Sequence, residues 1–169
     1  MKTKSIIAIL LICASISSIA NPKSGADETF KTIPVISDYN KVSVGKNLSV
    51  VFINMPTSQA VIRGNSKSLE NVDIKVVNGT LFVTAKLGIF LTSAIIYLPA
   101  KDLTEIDLQD DAKIHNEGVM ECDNLTVYFS GGSYASLVTR GKVEFKPFGN
   151  IDLNVEEYPT LYGNVLKNN

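Results

Sequence analysis

The chain has 169 residues, 45% of them hydrophobic, with 16 Lys+Arg against 17 Asp+Glu. A net charge of −1 supplies no electrostatic footprint for nucleic acid. One histidine excludes a multi-histidine metal site and leaves no choice for a histidine general base.

The first 20 residues read as an export leader. Lys2 and Lys4 form a basic start, residues 5–14 are apolar, and Ser18-Ile19-Ala20 places small residues at −3 and −1. Cleavage is expected after Ala20. The apolar run is too short to span a bilayer. The alternative is lipoprotein processing at Cys13: Leu10 suits such a site, whereas Ile12 is bulky where a small residue is wanted. Removal of the leader leaves 14 Lys+Arg against 17 Asp+Glu, a net charge of −3, and one cysteine, Cys122. A single cysteine makes neither an internal disulfide nor a cysteine-based metal site. Stability must come from packing, and the remaining length suits one domain. The expected partition is a leader at 1–20, a polar tether at 21–29, one domain at 30–158 and a tail at 159–169.

From Phe30 onward the pattern is strand and turn. Val42, Val44, Leu48, Val50 and Phe52 carry apolar side chains, Asn54-Met55-Pro56-Thr57 turns the chain, and Ala60-Val61-Ile62 resumes. In residues 72–85, Val72, Ile74 and Val76 alternate with polar neighbours, as do Leu81, Val83 and Ala85. Asn78-Gly79 between them meets the two positive φ angles of a type I′ turn, which predicts a hairpin. Residues 91–98 are apolar on both faces and end at Pro99, as in a strand covered on both sides. Residues 66–71 suit one short helical turn, and nothing else after residue 20 has a helical period.

Residues 103–155 read as three windings of one repeat: 103–118, 125–141 and a looser 142–155. The first two open with Leu-Thr and end in Gly, with starts 22 residues apart. Such a unit cannot bury its own apolar face and must stack on a neighbour. The expected fold is all-β: a right-handed β-helix or solenoid-like stack of short strands, preceded by a β region that contains the hairpin.

The segments FKTIPV, NVDIKVVNGTLFVTAK and IIYLPAKDLTEIDLQDDAKI, followed by LTVYFSGGSYASL, resemble the auto-transporter adhesin head GIN domain family of Bacteroidetes. In that family an NGTL hairpin precedes a Leu-Pro strand and windings with small-residue turns. Ser130-Gly131-Gly132-Ser133 keeps that turn, and Gln109-Asp110-Asp111-Ala112 departs from it. The resemblance implies a right-handed β-helix-like fold at the cell envelope and carries no catalytic residues.

The residues that bear chemistry are few. Eight acids crowd residues 102–123, opposed by Lys113 alone. Asp107, Asp110 and Asp111 form a candidate Ca²⁺ site, although their spacing fits neither an EF-hand nor a nonapeptide repeat. The competing reading is a solvated face with carboxylates at turns. His115 reads as a turn residue and Cys122 as a small buried one. Gly131-Gly132 lacks the Lys-Ser/Thr of a phosphate loop and suits close backbone approach between windings. Tyr128, Phe129, Tyr134, Phe145 and Phe148 fall in the last two windings, with Tyr158 and Tyr162 beyond. They read either as core and end caps or as a platform for sugar rings or protein side chains, with Tyr128 and Tyr134 as candidate binding residues.

No cofactor and no enzymatic activity are expected. The expectation is an exported envelope or cell-surface protein, adhesin-like, that binds a host or envelope protein or a glycan through a β-solenoid surface. A self-assembling structural module is the alternative, and a β-helix enzyme acting on polysaccharide is a third.

Overall fold

The computed structural model describes residues 29–35, 38–54, 58–86 and 94–149. The leader, most of the tether and residues 150–169, including the end of the third winding, lie outside the described residues. Twelve strands are described: β1 (Thr29–Pro34), β2 (Lys41–Val44), β3 (Ser49–Ile53), β4 (Gln59–Gly64), β5 (Val72–Val77), β6 (Thr80–Ala85), β7 (Ile95–Pro99), β8 (Glu105–Leu108), β9 (Lys113–Glu117), β10 (Asn124–Phe129), β11 (Tyr134–Ser136) and β12 (Lys142–Pro147). One helix, α1 (Ser66–Asn71), follows β4.

The strands form two six-stranded sheets. The first runs β1-β4-β7-β3-β9-β11 and the second β12-β10-β8-β2-β6-β5. Both are mixed. Strands β2, β3 and β6 to β12 pair in parallel with one another. The antiparallel pairs are β1 with β4, β4 with β7 and β5 with β6. A two-residue turn can only reverse a strand, whereas a parallel neighbour needs a crossover. Asn78 and Gly79, at φ 50° and 76°, make that reversal between β5 and β6, as their residue types predict.

The parallel strands stack as two-strand units, each with one strand in either sheet. Their order in space is β6/β7, β2/β3, β8/β9, β10/β11 and then β12. In the C-terminal half β10 pairs with β8 and β11 with β9 in parallel, and β8/β9 is seated on β2/β3, which arrives some 60 residues earlier in the chain. Val42 pairs with both Ile106 and Leu81. The register of the repeat also differs from the Leu-Thr spacing. Val127 sits beside Ile106 and Ala135 beside Ile114, a step of 21 rather than 22. Leu125 sits beside Val143, a shorter step of 18, in keeping with a looser third winding.

The core lies between the sheets. Val42, Val44, Leu81, Val83, Ile106, Leu108, Leu125, Val127 and Phe129 project into it from the second sheet. Val50, Phe52, Ile62, Ile96, Leu98, Ile114 and Ala135 meet them from the first. Full burial of one such Val, Leu, Ile or Phe stabilises by about 1.5–3 kcal/mol. Helix α1 packs against β1, β4 and β5 at one end of the stack. The Asn65 side chain caps it by accepting from the Ser68 amide at 2.9 Å, and Leu69 is its buried apolar contact.

The corners between the sheets stack as well. Asn47 and Asp111 both take the left-handed conformation, at φ 58°. The Asn47 amide donates to the Asp110 carbonyl at 3.0 Å, and Ser130 N donates to Leu108 O at 2.9 Å. A Cβ on Gly131 would lie 2.7 Å from an Asp110 carboxylate oxygen, and one on Gly132 would meet the Asp111 side chain. The Gly-Gly pair therefore serves close approach between windings, and the Asp110-Asp111 turn occupies the matching position one winding earlier.

Candidate functional site

Alternation along a strand turns every second side chain outward, and parallel register aligns those side chains across the sheet. On the second sheet one outward row reads Lys146, Tyr128, Asp107, Ser43, Phe82, Lys75. The adjoining row reads Glu144, Thr126, Glu105, Lys41, Thr80, Val77. Lys41 and Glu105 are ion-paired at 3.1 Å, as are Lys146 and Glu144 at 3.2 Å. The Lys146 ammonium also lies 6.0 Å from the centre of the Tyr128 ring, at the limit of a cation–π contact.

Asp107 sits at the middle of this face, half-buried. The Ser43 hydroxyl donates to its Oδ2 at 3.2 Å. Burial raises its carboxyl above the usual range, the Ser43 bond opposes that, and the nearby Glu105 adds to it.

The three candidate Ca²⁺ residues do not come together. Asp107 faces outward from β8. Asp110 lies at the corner, bonded to Lys46 Nζ at 2.6 Å, and that ammonium lowers its carboxyl below the usual range. Asp111 sits at the same turn in the left-handed conformation, its side chain against Gly132. Among the described residues no three His, Cys, Asp or Glu side chains form a group able to hold a metal ion. The physical reason is the corner: Asp107 is on the sheet face, whereas the other two belong to a turn.

Tyr128 and Tyr134 both point outward and are half-buried, but on opposite sheets. Ser130 to Ser133 is the corner between them, so they cannot act on one ligand surface. The aromatic ladder is likewise divided. Phe129 is buried and packs on Phe145, with ring centres 5.8 Å apart and planes tilted by 48°. Phe129 belongs to the core, and the partly buried Phe145 packs against it at the end of the second sheet. Phe148 is 75% exposed. Tyr158 and Tyr162 lie outside the described residues.

His115 is exposed on the outer face of the first sheet, beside Ser136 and Val51. It belongs to strand β9 rather than to a turn. Cys122 is buried, and burial pushes its thiol up. The hydroxyl of Tyr39 donates to the Pro99 carbonyl at 2.6 Å, and burial raises its pKa well above the usual value. Among the described residues no helix is long and apolar enough to cross a membrane.

Ser43 and Phe82 escaped the sequence reading, though they share a row with Asp107 and Tyr128. Parity alone marked Phe82 as outward, between inward Leu81 and Val83. Nothing local marked its strand as lying two places from β8.

The fold matches solved structures at low identity. A "putative adhesin" from Bacteroides fragilis aligns at a TM-score of 0.63 with 17% identity, over 74% of this chain and 60% of that one. A "putative adhesin" from Parabacteroides merdae aligns at 0.52 with 17% identity, over 71% and 52%. A third, from Parabacteroides distasonis, aligns at 0.50 with 14% identity, over 72% and 66%. The chain thus spans little more than half the length of the first two, and the likeness shows a shared fold. No curated protein matches the sequence. The family model described as "Putative auto-transporter adhesin, head GIN domain" matches residues 38–156, and the chain belongs to that family.

Proposed function

We propose that this protein is a non-enzymatic, adhesin-like module of the cell envelope, exported by its leader, which binds a protein or glycan through the outer surface of its stacked strands. We read the stack as a short right-handed β-helix. The observation that carries the proposal is the in-register outward row through Tyr128 and Asp107. Parallel strands backed by a packed core hold these side chains rigidly, and rigid presentation lowers the ordering cost of binding. Membership of a family described by adhesion agrees with this reading. Tyr128 marks one broad face and Tyr134 the other.

The test is adhesion of purified residues 21–169 to matrix proteins and to a glycan panel, with Tyr128→Ala and Tyr134→Ala compared singly. Loss of binding in one variant, with melting unchanged, identifies the face used. Absence of binding in all cases, or a protein that never leaves the cytoplasm, defeats the proposal. Intact mass of the exported form should begin at Asn21, whereas acyl chains on Cys13 would replace the soluble form with an anchored one.

Self-assembly is the second reading. Strand β12 lies at an edge of the second sheet, and an edge strand presents unpaired backbone groups to another chain. The exposed Phe148 lies just beyond it. Concentration-dependent sedimentation that Phe148→Ser abolishes would favour this reading over adhesion.

A further inference from the structure

We propose that the outer face of the second sheet binds a neutral glycan chain laid across the strands, with Tyr128 and Phe82 stacking on sugar rings and Asp107, held by the buried Ser43 hydroxyl, bonding ligand hydroxyls between them. The inference rests on the binding role proposed above and names its ligand class.

The geometry comes from register. Tyr128 neighbours Asp107, Asp107 neighbours Ser43, and Ser43 neighbours Phe82. With neighbouring strands about 4.8 Å apart, the two aromatics stand about 14 Å from one another on one face. One sugar ring cannot bridge that distance, but a short linked chain can. Aromatic faces supply apolar area at low entropic cost. Between them Asp107 supplies a half-buried carboxylate positioned by buried Ser43, and Thr126 and Thr80 add hydroxyls in the adjoining row.

Charge selects the ligand. Both lysines that flank Tyr128, Asp107 and Ser43 are committed, Lys41 to Glu105 and Lys146 to Glu144. Among the described residues the only hydrogen-bond donor to the Asp107 side chain is Ser43. An ionised carboxylate has about four acceptor sites, so Asp107 keeps capacity for donors from a ligand. Those two ion pairs cancel, so Asp107 is the uncompensated charge at the centre of the face and disfavours an anion there, while Lys75 ends the row beyond Phe82. A neutral polyol donates hydroxyl protons to such a face and is not repelled by it.

The test uses residues 21–169 titrated calorimetrically with cellohexaose, chitohexaose and laminarihexaose and with the matching disaccharides. At least one hexasaccharide should bind, more tightly than its disaccharide. Tyr128→Ala and Phe82→Ala should each weaken binding by about tenfold, the loss of one good contact. Asp107→Asn preserves shape and should weaken binding with melting retained, so it carries the test if a truncated variant unfolds. His115→Ala, on the other sheet, should bind as the parent does. Binding that ignores Tyr128, Phe82 and Asp107 overturns the site. Failure with all three hexasaccharides, alongside adhesion to a protein or to oligolysine, overturns the glycan and leaves the adhesin reading standing. Failure with every probe removes both.

Discussion

Individual residues set limits that composition does not reveal. Gly141 opens β12, and a Cβ there would fall on the Cys122 carbonyl oxygen and crowd the Asp123 carbonyl. Backbone cannot yield as a flexible side chain can. Gly141→Ala should therefore cost on the order of 1–3 kcal/mol or more, read from the denaturant midpoint, whereas Gly118→Ala, with nothing within 4 Å of the new Cβ, should lose only the strain of a positive φ. Asp107 works in the other direction. Its folded-state carboxyl is raised above the ordinary range, so the charged form is disfavoured on folding. The cost is absent below the unfolded value, grows as pH rises toward the folded value and stays constant above it. Asp107→Asn should stabilise the fold slightly at pH 7, by less than about 1 kcal/mol given solvent screening, and the advantage should vanish as pH falls below the carboxylate range. An advantage that grew in acid would refute this. The sequence marked Asp107 as acidic and Tyr128 as aromatic. It did not join them to Ser43 and Phe82, because Ser43 lies 64 positions from Asp107 and Phe82 reaches the row only by pairing with Ser43, through backbone groups that every residue shares.

At the scale of elements, the strands and turns were the readable part. Asn78-Gly79 determined its hairpin because both φ angles are positive, and residues 66–71 formed their helical turn behind the Asn65 cap. The Gly131-Gly132 pair signalled close approach. The same pair also marks a corner, which places Tyr128 and Tyr134 on opposite sheets. A second corner lies beyond β9 and β11, where regular pairing stops and a side chain takes over. Asn116 donates to the carbonyls of Val138 at 2.9 Å and Gly118 at 2.8 Å, and accepts from the Val138 amide at 2.8 Å. It clips one winding to the next as a strand would. Asn116→Leu keeps the size but orphans the Val138 amide, while the Val138 carbonyl keeps its bond from the Met120 amide at 2.9 Å. The expected loss is about 1–3 kcal/mol for that amide, and hydrogen exchange at Val138 should accelerate more than at Ala135. Equal acceleration at both would show that the clip is not local.

The whole molecule is ordered differently from its sequence. A repeat array that stacks in chain order is stabilised by nearest neighbours and can be cut between units. Here β2/β3, from the start of the domain, sits between β6/β7 and β8/β9. Strand β3 supplies the ladder for both β7 and β9, and β2 does so for both β6 and β8. Local patterning could not reveal this, since any of several apolar strands would satisfy the alternation of β8. The expected consequence is one cooperative unit with many distant contacts, and therefore slow folding for its size. A fragment of residues 29–86 lacks β7 and β8, and so leaves β2 and β3 with open edges. A fragment of residues 94–149 lacks β3, so β7 and β9 have nothing between them. Each fragment alone should be unstructured by circular dichroism and proteolysed rapidly. Mixed in equal amounts, the two should regain strand signal and protease resistance, because the missing ladders are supplied in trans. If residues 94–149 fold alone, the C-terminal windings are an independent stack and the central role of β2/β3 is wrong.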